Sequence, residues 1–446
     1  MSDSVMAPEW VCKFFSSLSD GGLRGQIVEV GLSGGLDSVV LLHMLRQLRE
    51  RLSLTVTAVH VHHGLQEQAD EWAVFCEELC QKWDIPLRIE YVTVETKGRG
   101  IEAAAREQRY QVFSRSKANR VALAHHRDDQ VETFMLGVLR GGGLRSLSAM
   151  PELRLLDGKV CLWRPLLSFD REELKAYARA YNLAFIEDPS NQDSSLLRNW
   201  LRHHGLPLWR ERIPNIDKHI GSSVACLQDE LAVLQEVVAE DADRMLHEEV
   251  LDLDLWRYLS PARRRQQLLY FAAKQGLGTP TAISVSAFEE TLSRIGSGSA
   301  EWALPKGKAY AYRNRLFGMR DDWLSENAWG LDNKICGRLN DILTNNGFTL
   351  QHNSFGLSEE MLRQVGMIRV VNTDDSLNLT VGRKSVWKIL QECRVPPFLR
   401  PYWPIVTDSE NRCIAIANIW VSVHDGVAGG SLPVFKKFNR FVLEPK

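Results

Sequence analysis

The sequence lacks the features that mark membrane, secreted and metal-cluster proteins. No apolar run in its 446 residues approaches the ~18 residues that a membrane-spanning helix needs. The first residues do not show the basic flank, apolar core and small-residue cleavage site of a secretory signal. Its 8 cysteines are scattered and include no C-x-x-C pair for zinc or an iron–sulfur cluster. We therefore expect a cytoplasmic protein without a membrane segment and with reduced thiols.

The charges are balanced, so composition alone does not indicate a nucleic-acid partner. Lysine and arginine total 54, against 56 for aspartate and glutamate. This balance excludes little, because a local basic face is enough to bind phosphates. The 44% hydrophobic and 25% charged residues are typical of a soluble globular protein, and the length indicates roughly two to four domains.

The N-terminal part alternates short β-branched runs with helical patterns. The runs predict strands over 26–32, 54–61, 87–92 and 120–125, and the periodicity predicts helices over 37–49, 70–83, 101–118 and 129–140. Such alternation is typical of an α/β fold with a doubly wound, mainly parallel sheet. Ligands bind at the carboxyl ends of the strands in these folds.

The pattern changes near residue 215. Residues 223–250 form one long amphipathic stretch, and a polar region over 343–354 marks a second change. After it, short strands mix with one helix. We predict a catalytic α/β domain over 1–215, a helical domain over 216–340 and a small α+β C-terminal domain over 345–446.

The segment GLSGGLDSVV at 31–40 joins the first predicted strand to the first predicted helix. Such a turn directs free backbone N–H groups and the positive helix end at one point, which suits phosphate. Asp37 would repel phosphates unless Mg²⁺ lay between them. The lysine of the G-x-x-x-x-G-K-[ST] loop is missing, so this loop fits a departing pyrophosphate, with an ordinary Ser/Gly turn as the alternative. The predicted phosphate-binding residues are Ser33, Gly34, Gly35, Leu36, Asp37 and Ser38.

A second polar segment, residues 123–144, crowds two histidines and three acids onto one turn from strand to helix. They are His125, His126, Asp128, Asp129 and Glu132. Mg²⁺ or an amine substrate would neutralise this negative charge. The alternative for Asp128 is a helix cap.

Two further segments carry charged pairs at helical spacing. Glu102 and Arg106 share one helix face, as do Arg198 and Arg202, because residues four apart lie on the same side of a helix. A surface ion pair and a solvated basic helix are the alternative interpretations.

These segments resemble known families. S-G-G-x-D-S is similar to the pyrophosphatase loop of the N-type ATP pyrophosphatases, and two other segments resemble the tRNA(Ile)-lysidine synthetase family within that superfamily. The residues that match H-H-x-D-D-Q-x-E-T, R-G-x-G-L, D-P-S-N and R-N-x-x-R are His125, His126, Asp128, Asp129, Gln130, Glu132, Thr133, Arg140, Gly141, Gly143, Leu144, Asp188, Pro189, Ser190, Asn191, Arg198, Asn199 and Arg202. Residues 382–406 are similar to the family's C-terminal domain, so the resemblance covers most of the chain.

Four positions depart from the family pattern. His62 and Gln66 replace an asparagine and an arginine, Ser146 replaces a glycine, and Phe398 replaces the tryptophan of V-P-P-W. These departures concern local contacts and leave the implied reaction class unchanged.

The resemblance implies a reaction in two steps. ATP adenylates the C2 oxygen of the wobble cytidine in tRNA(Ile) with the anticodon CAU, and pyrophosphate leaves. The ε-amine of free L-lysine then attacks C2 and expels AMP, which gives lysidine and converts the tRNA from AUG to AUA decoding.

The resemblance also implies roles for single residues. Mg²⁺ would be held by Asp37 and Asp129, the lysine ammonium by Glu132 or Asp129, and one of the paired histidines would accept its proton. The implied catalytic residues are Asp37, His125, Asp129, Glu132 and Arg198. The implied tRNA or substrate contacts are Arg106, Arg140, Asn199, Arg202, Lys384, Lys388 and Arg400.

Further candidates for tRNA phosphate contacts are Arg198, Arg263–Arg265 and the tail at 435–440. For the arginine triplet, a solvated helix face is an equal alternative. By family analogy, the middle domain would contact the anticodon side and the last domain the acceptor stem. A homodimer is one assembly that the sequence allows.

Two other functions stay open at this point. A tRNA thiolase of the same superfamily would need the cysteine pairs that are missing here. A non-catalytic tRNA-binding protein would have no use for Asp37 and the acidic turn beside a phosphate loop.

Overall fold

The computed structural model describes residues 11, 22–64, 66, 68–94, 101–156, 158–321, 337–338, 348–364, 367–435, 438 and 441. The chain divides into two compact units, Met1–Leu234 and Gln235–Lys446. The three-domain division stays a prediction. The boundary at 340–345, most of the tail at 435–440 and the side chain of Glu102 lie outside the described residues.

The first unit is built on a six-stranded sheet with the strand order β3-β2-β1-β4-β6-β5. Its strands are β1 Ile27–Gly31, β2 Thr55–His62, β3 Leu87–Tyr91, β4 Arg120–Ala122, β5 Leu153–Leu156 and β6 Val160–Trp163. All neighbouring pairs are parallel except β5 with β6. The predicted mainly parallel sheet is therefore confirmed. The antiparallel edge was not predicted, because its strands have only 4 residues each.

Helices cover both faces of this sheet. The larger ones are α1 Leu36–Gln47, α2 Ala69–Lys82, α3 Ile101–Ser114, α4 Arg127–Leu139 and α5 Arg171–Ala180. Side chains that alternate along the strands enter two separate cores. Ala122 and Trp163 pack with α1, whereas Val121, Leu123 and Leu162 pack with Phe113 of α3. This alternation decides where the residues that follow each strand point.

Irregular and helical segments complete the first unit. A 3-10 turn at Pro189–Gln192 precedes a run of helix with the bounds Leu197–Trp200, Leu201–Gly205 (π-helical) and Leu206–Arg212. The longest helix of the chain's described part follows at Ile216–Met245, beginning in the first unit and ending in the second. None of the helices in that part combines the length and the apolar character needed to cross a bilayer.

The second unit combines helices with small antiparallel sheets. Its first sheet contains β7 Leu246–His247, β8 Val250–Asp252, β9 Ala300–Leu304, β10 Gly307–Tyr312 and β11 Arg315–Arg320, beside the helices Leu253–Arg257, Pro261–Lys274 and Ala282–Arg294. The middle region is thus partly β, whereas the sequence indicated mostly helix. Its strands have between 2 and 6 residues each and show no long periodic run.

The C-terminal part of this unit has the predicted α+β character. Its strands are β12 Gly337–Arg338, β13 Phe348–Leu357, β14 Met367–Val370, β15 Ser376–Leu379, β16 Gly382–Ser385, β17 Pro404–Thr407, β18 Cys413–Ile416, β19 Trp420–Val421, β20 Gly426–Ala428 and β21 Ser431–Phe435, and its helices are Glu359–Gln364 and Val386–Glu392. Phe317 and Met319 of β11 share one core with Trp403 and Phe435. The middle and C-terminal regions therefore depend on each other for burial.

Candidate active site

The predicted phosphate cradle lies between β1 and α1. Gly34 has a φ of 85°, and a Cβ atom at this position would lie 2.7 Å from Cδ1 of Ile186. Ser38 Oγ lies 3.1 Å from Ser33 Oγ and donates to the Gly35 carbonyl at 2.9 Å. No side chain caps the start of α1. The uncapped N–H groups of its first turn are therefore suited to an anion.

A distant segment completes the cradle. The backbone N–H of Ile186 donates to the Gly34 carbonyl at 2.9 Å, which ties the D-P-S-N turn to the loop. Asn199 donates to the carbonyls of Ser190 and Asp193, both at 3.0 Å. The Asn199 amide donors therefore hold this turn, and the contact of Asn199 with substrate stays a prediction. The contact of Ile186 was not predicted, because it joins residues far apart in the chain and no local pattern indicates it.

His126 joins the cradle to the acidic turn. The side chain is 2% exposed, and its Nε2 lies 3.7 Å from Oδ2 of Asp37 and 3.5 Å from Oδ2 of Asp129. Its Nδ1 lies 3.5 Å from Oδ2 of Asp128. Burial lowers the pKa of His126, but Asp128, Asp37 and Asp129 outweigh burial and raise the pKa to about 10. A charged imidazolium therefore holds three carboxylates together.

His125 has a different environment. Burial, together with the charges of Arg164, Arg106 and Arg198, lowers its pKa to about 4 against the opposing effect of Asp129. Its Nδ1 is buried and has no hydrogen-bond partner among the described residues. His125 is therefore a neutral ring with one unused nitrogen.

Two arginines bind the acids of α4. Glu132 is 1% exposed, and it accepts hydrogen bonds from Nε of Arg202 at 2.6 Å and from Nε of Arg198 at 2.7 Å. Both guanidinium groups also reach Oδ1 of Asp129, at 3.4 and 3.1 Å. Acids of the same chain thus pair with these charges, and the contacts of Arg198 and Arg202 with tRNA phosphates stay predictions.

Asp128 and Asp129 stay ionised in these surroundings. Burial raises the pKa of Asp129, but His126 and Arg198 outweigh burial and lower it. Asp128 accepts from Arg210 at 2.7 Å and from the backbone N–H of Arg171 at 3.0 Å. The pKa of Asp128 is also lowered, chiefly by His126 against burial. Asp128 therefore binds the first N–H of α5, whose N-cap is Asp170, and also pairs with Arg210 and His126.

Comparisons with known proteins identify the family. Family models match a PP-loop domain over residues 11–208, a TilS substrate binding domain over 251–317 and a TilS substrate C-terminal domain over 369–431. A tRNA(Ile)-lysidine synthase of Neisseria gonorrhoeae is 43% identical and covers 94% of this chain and 93% of its own length. Those of Chromobacterium violaceum and Nitrosomonas europaea are 36% and 35% identical over 92% and 96% of this chain, and 95% of their own length in each case.

The chain belongs to the tRNA(Ile)-lysidine synthase family. Membership confirms the resemblance and makes the protein a ligase with an ATP-binding PP-loop domain. Neither a thiolase nor a non-catalytic binding protein is favoured any longer.

The departures from the lysidine synthase pattern are accommodated locally. Nε2 of His62 lies 2.9 Å from Oδ1 of Asp70. Gln66 donates to Oδ1 of Asp188 at 3.3 Å, so it still reaches the D-P-S-N turn. Ser146 packs against Gly142, where a Cβ atom would lie 2.5 Å from the Cβ of Ser146.

The other predicted contacts of the first unit are exposed. Arg106 donates to the Tyr110 hydroxyl at 3.1 Å and lies over the Tyr110 ring. Arg140 lies at the end of α4. The contacts of Arg106 and Arg140 with tRNA or substrate therefore remain predictions.

The residues of the second unit that were predicted to contact tRNA differ in whether their side chains already bind other groups of the chain. Lys384 pairs with Glu392, and Arg400 donates to the Val395 carbonyl at 3.0 Å, whereas Lys388 is exposed. Each arginine of the Arg263–Arg265 triplet pairs with Asp241 or Glu289. The triplet therefore fits an ion-paired helix face better than a tRNA contact.

Proposed function

We propose that the protein ligates free L-lysine to C2 of the wobble cytidine in tRNA(Ile) with the anticodon CAU, through an adenylated cytidine. The observation that carries the proposal is the contact of His126 with Asp37, which places an acidic group beside a lysine-free phosphate cradle. The names of the relatives, which cover nearly the whole chain, support the same substrate.

In the first step, the cradle would bind the β- and γ-phosphates. The C2 oxygen of the cytidine attacks the α-phosphorus, and the bond to the pyrophosphate oxygen breaks. The N–H groups at the start of α1 stabilise the charge that develops on the leaving pyrophosphate. Gly34 allows this close approach, since its φ of 85° strains any residue with a side chain.

The residues present fit Mg²⁺ at one of the two predicted positions. Asp37 Oδ1 is buried and accepts no hydrogen bond from the described residues, so it is available to a cation. Asp129 uses Oδ1 for two arginines and Oδ2 for the backbone N–H of His126 at 3.1 Å. The described residues contain no group of three or more metal-ligating side chains. Asp37 would thus be the protein ligand and phosphates and water would supply the others, with the ion neutralising phosphate charge.

In the second step, the ε-amine of lysine would lose a proton, attack C2 and displace AMP. His125 is the histidine suited to accept that proton, since it is neutral with a free Nδ1. His126 is already protonated between its carboxylates. Glu132, which was expected to orient the ammonium, has both oxygens bound by arginines. In our proposal it instead fixes Arg198 and Arg202 beside Asp129.

The tRNA would be held through phosphate contacts on the second unit. Lys388 is the exposed candidate, and the two matched substrate-domain regions are consistent with it. Phosphate contacts set the position of a nucleic acid and make its affinity salt-dependent.

One incubation tests the proposed function. The enzyme is given ATP, labelled lysine and total tRNA, and the labelled nucleoside is then identified after digestion of the tRNA. We expect label in a lysine adduct of cytidine from tRNA(Ile), with one AMP released for each lysine. Release of AMP that does not depend on lysine would contradict the proposal.

A further inference from the structure

Arg164 is a buried cation without an acidic partner. The side chain directly follows β6 and is 2% exposed. Its Nη1 donates to the Pro151 carbonyl at 2.8 Å and the guanidinium also bonds to the Tyr110 hydroxyl, whereas its Nε is buried without a hydrogen-bond partner among the described residues. Within the described part of the chain, no carboxylate pairs with it. An uncompensated buried charge costs several kcal/mol, so this arrangement indicates an anion that comes from outside the chain.

The sheet registers place Arg164 on the row of the active site. Val30 pairs with Ala122, and Ala122 pairs with Trp163. One residue further on, the same registers bring Gly31, Leu123 and Arg164 to one level at the carboxyl edge of the sheet. Arg164 is therefore two strands from the phosphate cradle, a separation of about 10 Å.

Arg164 and His125 lie on the same face of the sheet. Leu162 and Leu123, two residues before each of them, belong to the core beneath α3. Alternation places Arg164, the residue directly after β6, on that face, and Arg106 of α3 acts electrostatically on both Arg164 and His125. The charge of Arg164 acts on His125, whose Nδ1 is likewise buried without a partner. Two unused polar atoms thus face one region between α3 and the ends of β4 and β6, and buried polar atoms normally have partners.

We propose that Arg164 binds the α-carboxylate of the amino-acid substrate and thereby directs its side-chain amine toward the cradle. The proposal rests on the proposed function and adds the position of the amino acid. The four methylenes and the amine extend about 6 Å from Cα, which is within the backbone separation of about 10 Å between Arg164 and the cradle, so a lysine anchored at Arg164 can direct its amine toward the cradle. The chain would pass His125 and end near Asp37 and Asp129.

A carboxylate fits this position better than a phosphate. The phosphates of ATP belong to the cradle at β1, two strands away. A tRNA phosphate carries a bulky backbone on both sides, which a side chain with 2% exposure does not admit. Arginine also matches the planar geometry of a carboxylate with its paired donors.

The test compares lysine with lysinamide, which lacks the carboxylate charge, in Arg164→Lys and in the unchanged enzyme. We expect Arg164→Lys to raise KM for lysine at least about tenfold and to change KM for lysinamide by less than about twofold. The ratio of KM for lysine to KM for lysinamide does not depend on the fraction of the enzyme that is folded. An unchanged ratio, or a rise in KM for ATP instead, would overturn the proposal.

Two further measurements keep the result interpretable. Arg120→Lys makes the same change at the opposite end of β4, where Arg120 lies over the Trp163 ring, and should leave the ratio unchanged. If Arg164→Lys does not fold, calorimetry on the unchanged enzyme decides, since lysinamide must bind at least about tenfold more weakly than lysine. Equal affinities for lysine and lysinamide would reject the proposed role of Arg164 and leave the proposed function standing. The proposed function itself would be rejected if the unchanged enzyme transferred no lysine.

Discussion

Nε2 of His126 lies 3.7 Å from Oδ2 of Asp37, so the helix that follows β4 contacts the helix that follows β1 at their N-terminal ends. The same nitrogen lies 3.5 Å from Asp129. A single protonated ring thus keeps the carboxylate of the phosphate cradle close to the acidic turn.

The two adjacent histidines should affect different steps. His126→Gln removes the charge between three carboxylates, so we expect pyrophosphate release to slow by about 100-fold or more. His125→Gln should leave pyrophosphate release within a few-fold and slow the lysine-dependent release of AMP. Rapid-quench measurement of both products separates the steps. Equal slowing of both steps in both variants would show that the histidines have no separate roles.

Gly34 should tolerate no side chain. Gly34→Ala combines a φ of 85° with a Cβ contact of 2.7 Å to Ile186, so we expect a loss of about 1–3 kcal/mol in the free energy of unfolding and loss of ATP binding. Gly221→Ala is the control, because that exposed helical position has no atom within 4 Å of the added Cβ. It should be neutral or stabilising by up to about 1 kcal/mol. Urea unfolding and ATP titration give both quantities, and similar values for the two variants would refute the strain argument.

Phe398 should hold the two regions of the second unit together. Its ring stacks on Tyr310 with centroids 4.1 Å apart and lies 5.9 Å from Phe317. We expect Phe398→Ala to lower the free energy of unfolding by about 2–4 kcal/mol, and Phe398→Trp, which restores the family residue, to change it by less than about 1.5 kcal/mol.

The same contact changes the interpretation of a truncation. Removing the residues after about 345 should weaken tRNA binding more than ATP binding, but it also exposes Phe317 and Met319, which share a core with the removed part. The truncated protein should therefore lose cooperative unfolding of the second unit while still binding ATP. Equal loss of tRNA and ATP binding would count against the assignment of tRNA contacts to this unit.

Acid should destabilise the first unit through His43. Its ring is buried, Nδ1 lies 2.9 Å from the Tyr177 hydroxyl, and burial lowers the pKa from 6.5 to about 4. The unfolded chain binds this proton at higher pH than the native chain, so stability is full above pH 6.5 and falls as the pH drops toward 4. The loss should be on the order of 3 kcal/mol. Unfolding titrations across this pH range should show that the free energy of unfolding depends less steeply on pH in His43→Gln than in the unchanged protein. An identical dependence in the two proteins would exclude the effect.

The sequence predicted the parallel sheet and the phosphate cradle because both depend on short, local patterns. It could not separate the two histidines, since the hydrophobic run before them did not show which face of the sheet each would follow. The arginines on Glu132 were visible only as a basic helix face, because the acid lies 66 and 70 residues away. Arg164 was missed for a related reason, since an arginine after a buried strand is ordinary until its lack of an acidic partner is known.

The most direct test of the account is single-turnover release of pyrophosphate by Asp37→Ala, with tRNA(Ile) and ATP but without lysine. Asp37 is the one residue that we assign both to the phosphate cradle and to the binding of Mg²⁺. We predict release slowed by at least about 1,000-fold with the fold unchanged by circular dichroism. Pyrophosphate release at a near-normal rate would contradict the central claim that this loop holds the departing phosphates.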